Sequence, residues 1–93
     1  MNSALIGAWC WNGHIDWGYL FGPDGKGSFY FCGGEKPFEY SDDGTSVKVH
    51  FAGDIFPNKF RYTIEEDILS IEDSFGNWVI YNRCESLVKI QLP

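Results

Sequence analysis

Two histidines, three cysteines and three adjacent carboxylate pairs are the residues of this chain whose types could perform chemistry. His14 and His50, joined by a cysteine or a carboxylate, would supply metal donors, and Cys10 with His14, or Cys32 with His50, would supply a thiolate–imidazole nucleophile. Neither arrangement shows a ligand spacing. Cys10 stands between Trp9 and Trp11, and apolar surroundings raise a thiol pKa and keep it inert. The pairs Asp42-Asp43, Glu65-Glu66 and Glu72-Asp73 fall in or beside turn sequences, where water screens them. Paired acid–base catalysis needs environments that push two pKa values apart, which exposed turns do not provide. No glycine-rich loop opens a helix, so no phosphate cradle is formed. The chain is therefore expected not to be an enzyme and to use no metal and no cofactor.

The elements that would carry these residues are strands. Seventeen of the 93 residues are aromatic, while Ala occurs three times and Met only at the start, a composition that suits a pleated, half-buried surface better than a helix. Turn signals recur every eight to twelve residues. Asn12-Gly13-His14 separates Leu5–Trp11 from Ile15–Phe21, and Gly22-Pro23-Asp24-Gly25 leads into Gly27–Cys32. Gly33-Gly34 and Pro37 precede a short Phe38–Ser41 run. Ser46–Ala52 and Lys59–Ile64 alternate apolar with polar residues, Leu69 and Ile71 continue the pattern, and Trp78–Tyr81 and Leu87–Leu92 follow. Eight to nine strands joined by short turns leave no room for parallel crossovers. The predicted fold is an all-β antiparallel up-and-down meander in one domain, residues 1–93, closed as a small barrel, with a two-sheet sandwich as competitor. The alternation points Trp9, Trp11, Trp17, Tyr19, Phe21, Phe29, Phe31, Phe38, Tyr40, Phe51, Phe60 and Tyr62 inward. Rings of that size suggest a filled interior in an eight-stranded barrel.

Charge and cysteine use narrow the partners. The net charge of −6 argues against nucleic acid and against an anionic membrane. Glu65, Glu66, Asp67, Glu72 and Asp73 account for most of it, with no base between residues 65 and 73. If residues 68–71 form a strand, these acids lie at its two ends about 14 Å apart, as two acidic corners. Three cysteines far apart in sequence read as reduced, packed thiols rather than a disulfide scaffold. With no signal-peptide pattern and no apolar run near the length of a membrane span, a cytoplasmic location is expected, the alternative being an export signal that has been removed.

Several ordered landmarks resemble a known superfamily. Gly7-Ala8-Trp9 resembles the Gly-x-Trp signature of the lipocalins and calycins, and Phe21-Gly22-Pro23-Asp24-Gly25-Lys26-Gly27 is similar to a hairpin of small bacterial lipocalin-like domains. Tyr62-Thr63-Ile64, Leu69-Ser70-Ile71-Glu72-Asp73 and Tyr81-Asn82-Arg83 look like their closing strands. The resemblance implies a structural pair in which Arg83 packs on Trp9. It does not carry the carrier function with it, because fold alone does not fix function.

Two functions are weighed. The first is a non-enzymatic binding protein that holds or neutralises a basic protein partner, of inhibitor or toxin-immunity type. Glu65, Glu66, Asp67, Glu72 and Asp73 would steer the partner, and Phe56 would anchor it. Ile55 and Phe56 break the alternation in the longest interruption between strands, so they either fold over a barrel mouth or stand out as contact residues, and Phe75 at another turn tip poses the same choice. The alternative is a carrier or sensor of a small apolar ligand inside the barrel, with Trp17 and Tyr19 as wall residues and Asp16 at the rim.

Overall fold

The alternating runs become strands, and the turn residues between them set where each one ends. A computed structural model describes residues 3–31 and 33–85. Among the described residues a single 3-10 turn, Ser3–Leu5, precedes eight strands: β1 Gly7–Trp11, β2 His14–Phe21, β3 Lys26–Phe31, β4 Gly34–Asp42, β5 Ser46–Phe51, β6 Asn58–Glu65, β7 Ile68–Glu72 and β8 Trp78–Cys84. Each pairs antiparallel with the next, and β8 returns to pair with β1, which closes the barrel in strict sequence order. All described strands are thus paired on both sides.

The tight β1–β2 pairing depends on one glycine. Gly18 sits at φ +149 opposite Cys10, where a Cβ would overlap the carbonyl oxygen of Trp9, so no side chain fits at the bulge between Cys10 and Trp11. At the turns, short acids cap backbone donors. The Asp43 carboxylate accepts from the amides of Thr45 (3.0 Å) and Ser46 (2.7 Å), and these bonds hold its pKa below the usual carboxylate range.

One end of the barrel is sealed. Leu5 is fully buried beneath the 3-10 turn, and the Trp9 indole Nε1 donates to its carbonyl at 2.9 Å. The Arg83 guanidinium lies 4.0 Å from the Trp9 ring centroid and donates to the carbonyls of Ala4 (2.7 Å) and Ile6 (3.1 Å). Gly7 leaves space for this group, since a Cβ there would stand 2.5 Å from Arg83 Nη1. The Tyr40 hydroxyl donates to the Gly22 carbonyl, and the Tyr62 hydroxyl donates to the Asp42 carboxylate.

Above this floor the interior is a chain of touching rings. Tyr19 meets Phe21, Phe29, Phe38 and Tyr81 at centroid distances of 5.5, 4.6, 6.2 and 5.3 Å. Val47, Val49, Leu69 and Ile71 fill the facing side. Burial pushes the Tyr81 phenol up to about 12 and raises that of Tyr19 further.

Four details differ from the sequence reading. Leu5 ends the 3-10 turn instead of starting β1, because it serves as the plug. β4 runs through Pro37 from Gly34, since the Pro37 carbonyl still accepts from Ala52 N–H and only one donor of the ladder is lost. Phe31 lies at the open rim, more than a third exposed, stacked on Phe29. The reading of three reduced thiols is overturned: Cys10 and Cys84 form a disulfide across 74 residues, with Cα atoms 5.9 Å apart. Closure of the barrel makes the first and last strands neighbours, a proximity that linear spacing cannot display. The predicted Leu87–Leu92 strand and Cys32 lie outside the described residues.

Candidate functional site

Alternation along β7 and β8 puts Leu69, Ile71, Val79 and Tyr81 inside and leaves Ile68, Ser70, Glu72, Trp78, Ile80 and Asn82 on the outer wall. Cross-strand pairing arranges these in rows: Ile68 opposite Asn82, Ser70 opposite Ile80, and Glu72 opposite Trp78. Ile68, Ile80 and Trp78 therefore form an oblique apolar stripe along the wall, and they are 44%, 52% and 46% exposed. Phe75, at the tip of the β7–β8 turn, extends it past the barrel rim and is more than three-quarters exposed. Outward positions on a solvated wall normally carry polar side chains, so four large apolar groups on one hairpin stand out.

The turn that carries Phe75 is held in place. The Asp73 carboxylate accepts from the amides of Phe75 and Asn77, both at 2.9 Å, and Gly76 N–H donates to the Asp73 carbonyl. The neighbouring rim loop, residues 52–57, is fastened in the same way: Asp54 N–H donates to the Phe51 carbonyl, and His50 Nε2 lies 2.7 Å from the Asp54 carbonyl. It presents Ile55 and Phe56, each more than three-quarters exposed. These two side chains do not fold over the mouth; they point into solvent.

The five predicted steering acids are found at the two ends of the stripe, with unequal freedom. Glu65 is the last residue of β6, opposite Ile68, and Glu66 and Asp67 form the tight turn, with Glu66 at φ 55. The Asp67 carboxylate stands 3.6 Å from Arg83 Nε. At the other end Glu72 accepts two hydrogen bonds from Arg61, 2.9 and 2.6 Å long. Those bonds hold its carboxyl below the usual carboxylate range and raise the guanidinium. The same guanidinium lies 5.8 Å from the Trp78 ring centroid. Asp73 is committed to its turn. Among the described residues, no ion pair within 4.0 Å involves Glu65 or Glu66, so these two are the least engaged of the five.

Of the residues named for an interior ligand, Tyr19 is buried in ring contacts, Trp17 is half-buried against Trp11 with centroids 5.3 Å apart, and Asp16 is partly exposed beside it. Cys10, already set aside as a nucleophile with His14, is bonded through its sulfur to Cys84. His14 begins β2 rather than lying in the turn, stacked on Trp11 at 5.9 Å. His50 lies on the outer wall of β5, with β6 between it and β7, in an open depression of about 440 Å³ bordered by Lys26, Glu39, Ala52 and Asp54. Among the described residues, no three His, Cys, Asp or Glu side chains are grouped to hold a metal ion, and no helix is long and apolar enough to cross a membrane.

Sequence reasoning missed Ile68, Trp78 and Ile80. Trp78-Val79-Ile80-Tyr81 is apolar in both phases, so a period of two cannot say which pair faces out. Carrying the phase back from Arg83, whose partner on Trp9 was foreseen, would have assigned it.

No family model, curated protein or solved structure matches this chain.

Proposed function

We propose that this chain is a non-enzymatic binding protein that holds or neutralises a basic protein, in the manner of an inhibitor or immunity protein, and that its contact surface is the outer wall of β7 and β8. The observation that carries the reading is the exposed stripe Ile68–Ile80–Trp78 lying between two acidic ends. An interface of this kind combines a small apolar centre, which excludes water, with a charged rim, which steers the encounter. Glu65 and Glu66 are the free steering charges, while Phe75 and Phe56 are anchors on fastened loops, so little ordering entropy is lost when they are covered. A second copy of the chain suits this wall poorly. Whether two copies meet parallel or antiparallel, an acidic end faces an acidic end.

The lipocalin-like kinship is part of the same reading. It is supported by Gly7, Trp9 and Arg83 meeting at the sealed end. The contiguous rings of the interior favour a filled barrel over a carrier. The Cys10–Cys84 disulfide weighs against the cytoplasmic expectation and favours an oxidising compartment.

The reading is tested by affinity capture from the source organism with wild-type protein and the Ile80→Asp variant as paired baits. One basic protein, identified by mass spectrometry, should be retained by the wild type, released by salt and lost on the variant. Equal retention on both baits, or retention of an acidic protein, would sink the assignment.

A further inference from the structure

The chemistry of the wall also constrains the shape of what it receives. Every described strand is paired on both sides, so no edge is open for a partner strand to extend the sheet. An extended segment laid on the stripe would press its backbone N–H and C=O groups against apolar side chains without partners, which is costly. A helix satisfies its backbone internally. The stripe is also narrow. Ser70 and Glu72 flank it on β7, with Thr63 and Arg61 beyond them on β6, and Asn82 closes the end of β8 opposite Ile68. A surface one side chain wide matches a single element rather than the roughly 800 Å² per partner of a standard globular interface. From Ile68 to the level of Trp78 is four residues of strand, about 14 Å, which about nine residues of helix would span.

We propose that the β7–β8 wall takes one amphipathic helix of a basic partner. The helix lies along the strands, its apolar face on Ile68, Ile80 and Trp78, with lysine or arginine at the end beside Glu65 and Glu66. At the other end the chain's own Arg61 already neutralises Glu72 and lies against the Trp78 ring, so the helix needs no cation there. This rests on the basic-partner reading and narrows it to one kind of element.

The test uses the full chain, ¹⁵N-labelled, and three synthetic peptides of identical composition, each with lysines at one end. In the first, leucines recur at helical spacing on one face. In the second they are redistributed so that no face is apolar, and in the third the stripe is kept but D-residues break the helix. The striped peptide should bind about tenfold or more tightly than either control, the order of one lost anchor. Its amide shifts should centre on residues 65–72 and 78–82, and affinity should fall as salt rises. Ile80→Asp should weaken it about tenfold, with Ile80→Thr as a second variant that keeps strand propensity in case the aspartate disturbs the barrel. If all three peptides bind this wall alike, the helix is wrong and the basic-partner reading survives. If the striped peptide binds elsewhere or not at all, the helix is wrong, and the capture experiment decides the wider reading by itself.

Discussion

The outer wall of β4–β6 and the outer wall of β7–β8 continue one ladder and cover one core, yet they present opposite chemistry to solvent. The first carries Glu39, Ser41, Lys48, His50, Lys59, Arg61 and Thr63, while the second carries Ile68, Trp78 and Ile80 with acids at its ends. Their inner faces are alike, since both bury alternating apolar residues in the same cluster. The barrel core under these two walls is built by their inner faces, so that core does not require the outer difference. Stability should therefore reside in the shared interior and seam, and recognition in the wall that breaks the polar pattern.

That division can be broken most forcefully at the seam. Replacing Cys10 and Cys84 with serine, or reducing the bond, frees a closure of 74 residues and should cost about 4 kcal/mol on a chain-entropy basis. Denaturant unfolding of oxidised and reduced protein measures it; indistinguishable midpoints would remove the seam from the account. The interior gives the next largest effect. Tyr81 is neutral in the barrel and its pKa is raised to about 12, so its contribution is fully present below the ordinary phenol value of about 10 and disappears as pH rises from there to about 12. About 3 kcal/mol should be lost across that window, followed by tyrosinate absorbance alongside circular dichroism. Ionisation of Tyr81 near 10 in a folded barrel would contradict its burial.

The walls themselves should respond differently. Trp78→Ser and Ile80→Asp should change stability by no more than about 1 kcal/mol while weakening partner binding about tenfold or more. Ser41→Asp, on the outer wall of β4, should leave binding unchanged. Thermal melts paired with calorimetric titration separate the two outcomes, and a wall variant that unfolds without a selective binding loss would erase the contrast. The smallest effect lies on the polar wall, where Lys48 faces Lys59 directly across the strands. Lys48→Glu should turn that repulsion into attraction and stabilise the protein by roughly 0.2–1 kcal/mol, read as a small rise in Tm.

How much of this was legible in the sequence follows from what each signal can encode. Val47, Val49, Phe60, Tyr62, Leu69 and Ile71 announce their faces by strict alternation, and the barrel follows from them and from the short turns between. Glu65, Glu66 and Phe56 were named from charge and interrupted pattern, and the structure places them at a wall end and a rim loop. The disulfide was invisible because closure joins the two chain ends only in three dimensions. The stripe was hidden because β8 is apolar on both faces, which leaves its phase to be set by its neighbours. The commitment of Glu72 to Arg61 and of Asp73 to its own turn is a matter of local geometry that composition does not express.

The central claim is that the β7–β8 wall with the rim loops beside it, and not the polar β4–β6 wall, is the recognition face. Hydroxyl-radical footprinting of the free protein and of its complex with the captured basic partner tests this most directly. Labelling of Ile68, Phe75, Trp78 and Ile80 should fall sharply in the complex while that of Lys48, His50 and Lys59 stays as it was. Protection centred on β4–β6, with Trp78 and Ile80 still fully labelled, would contradict it.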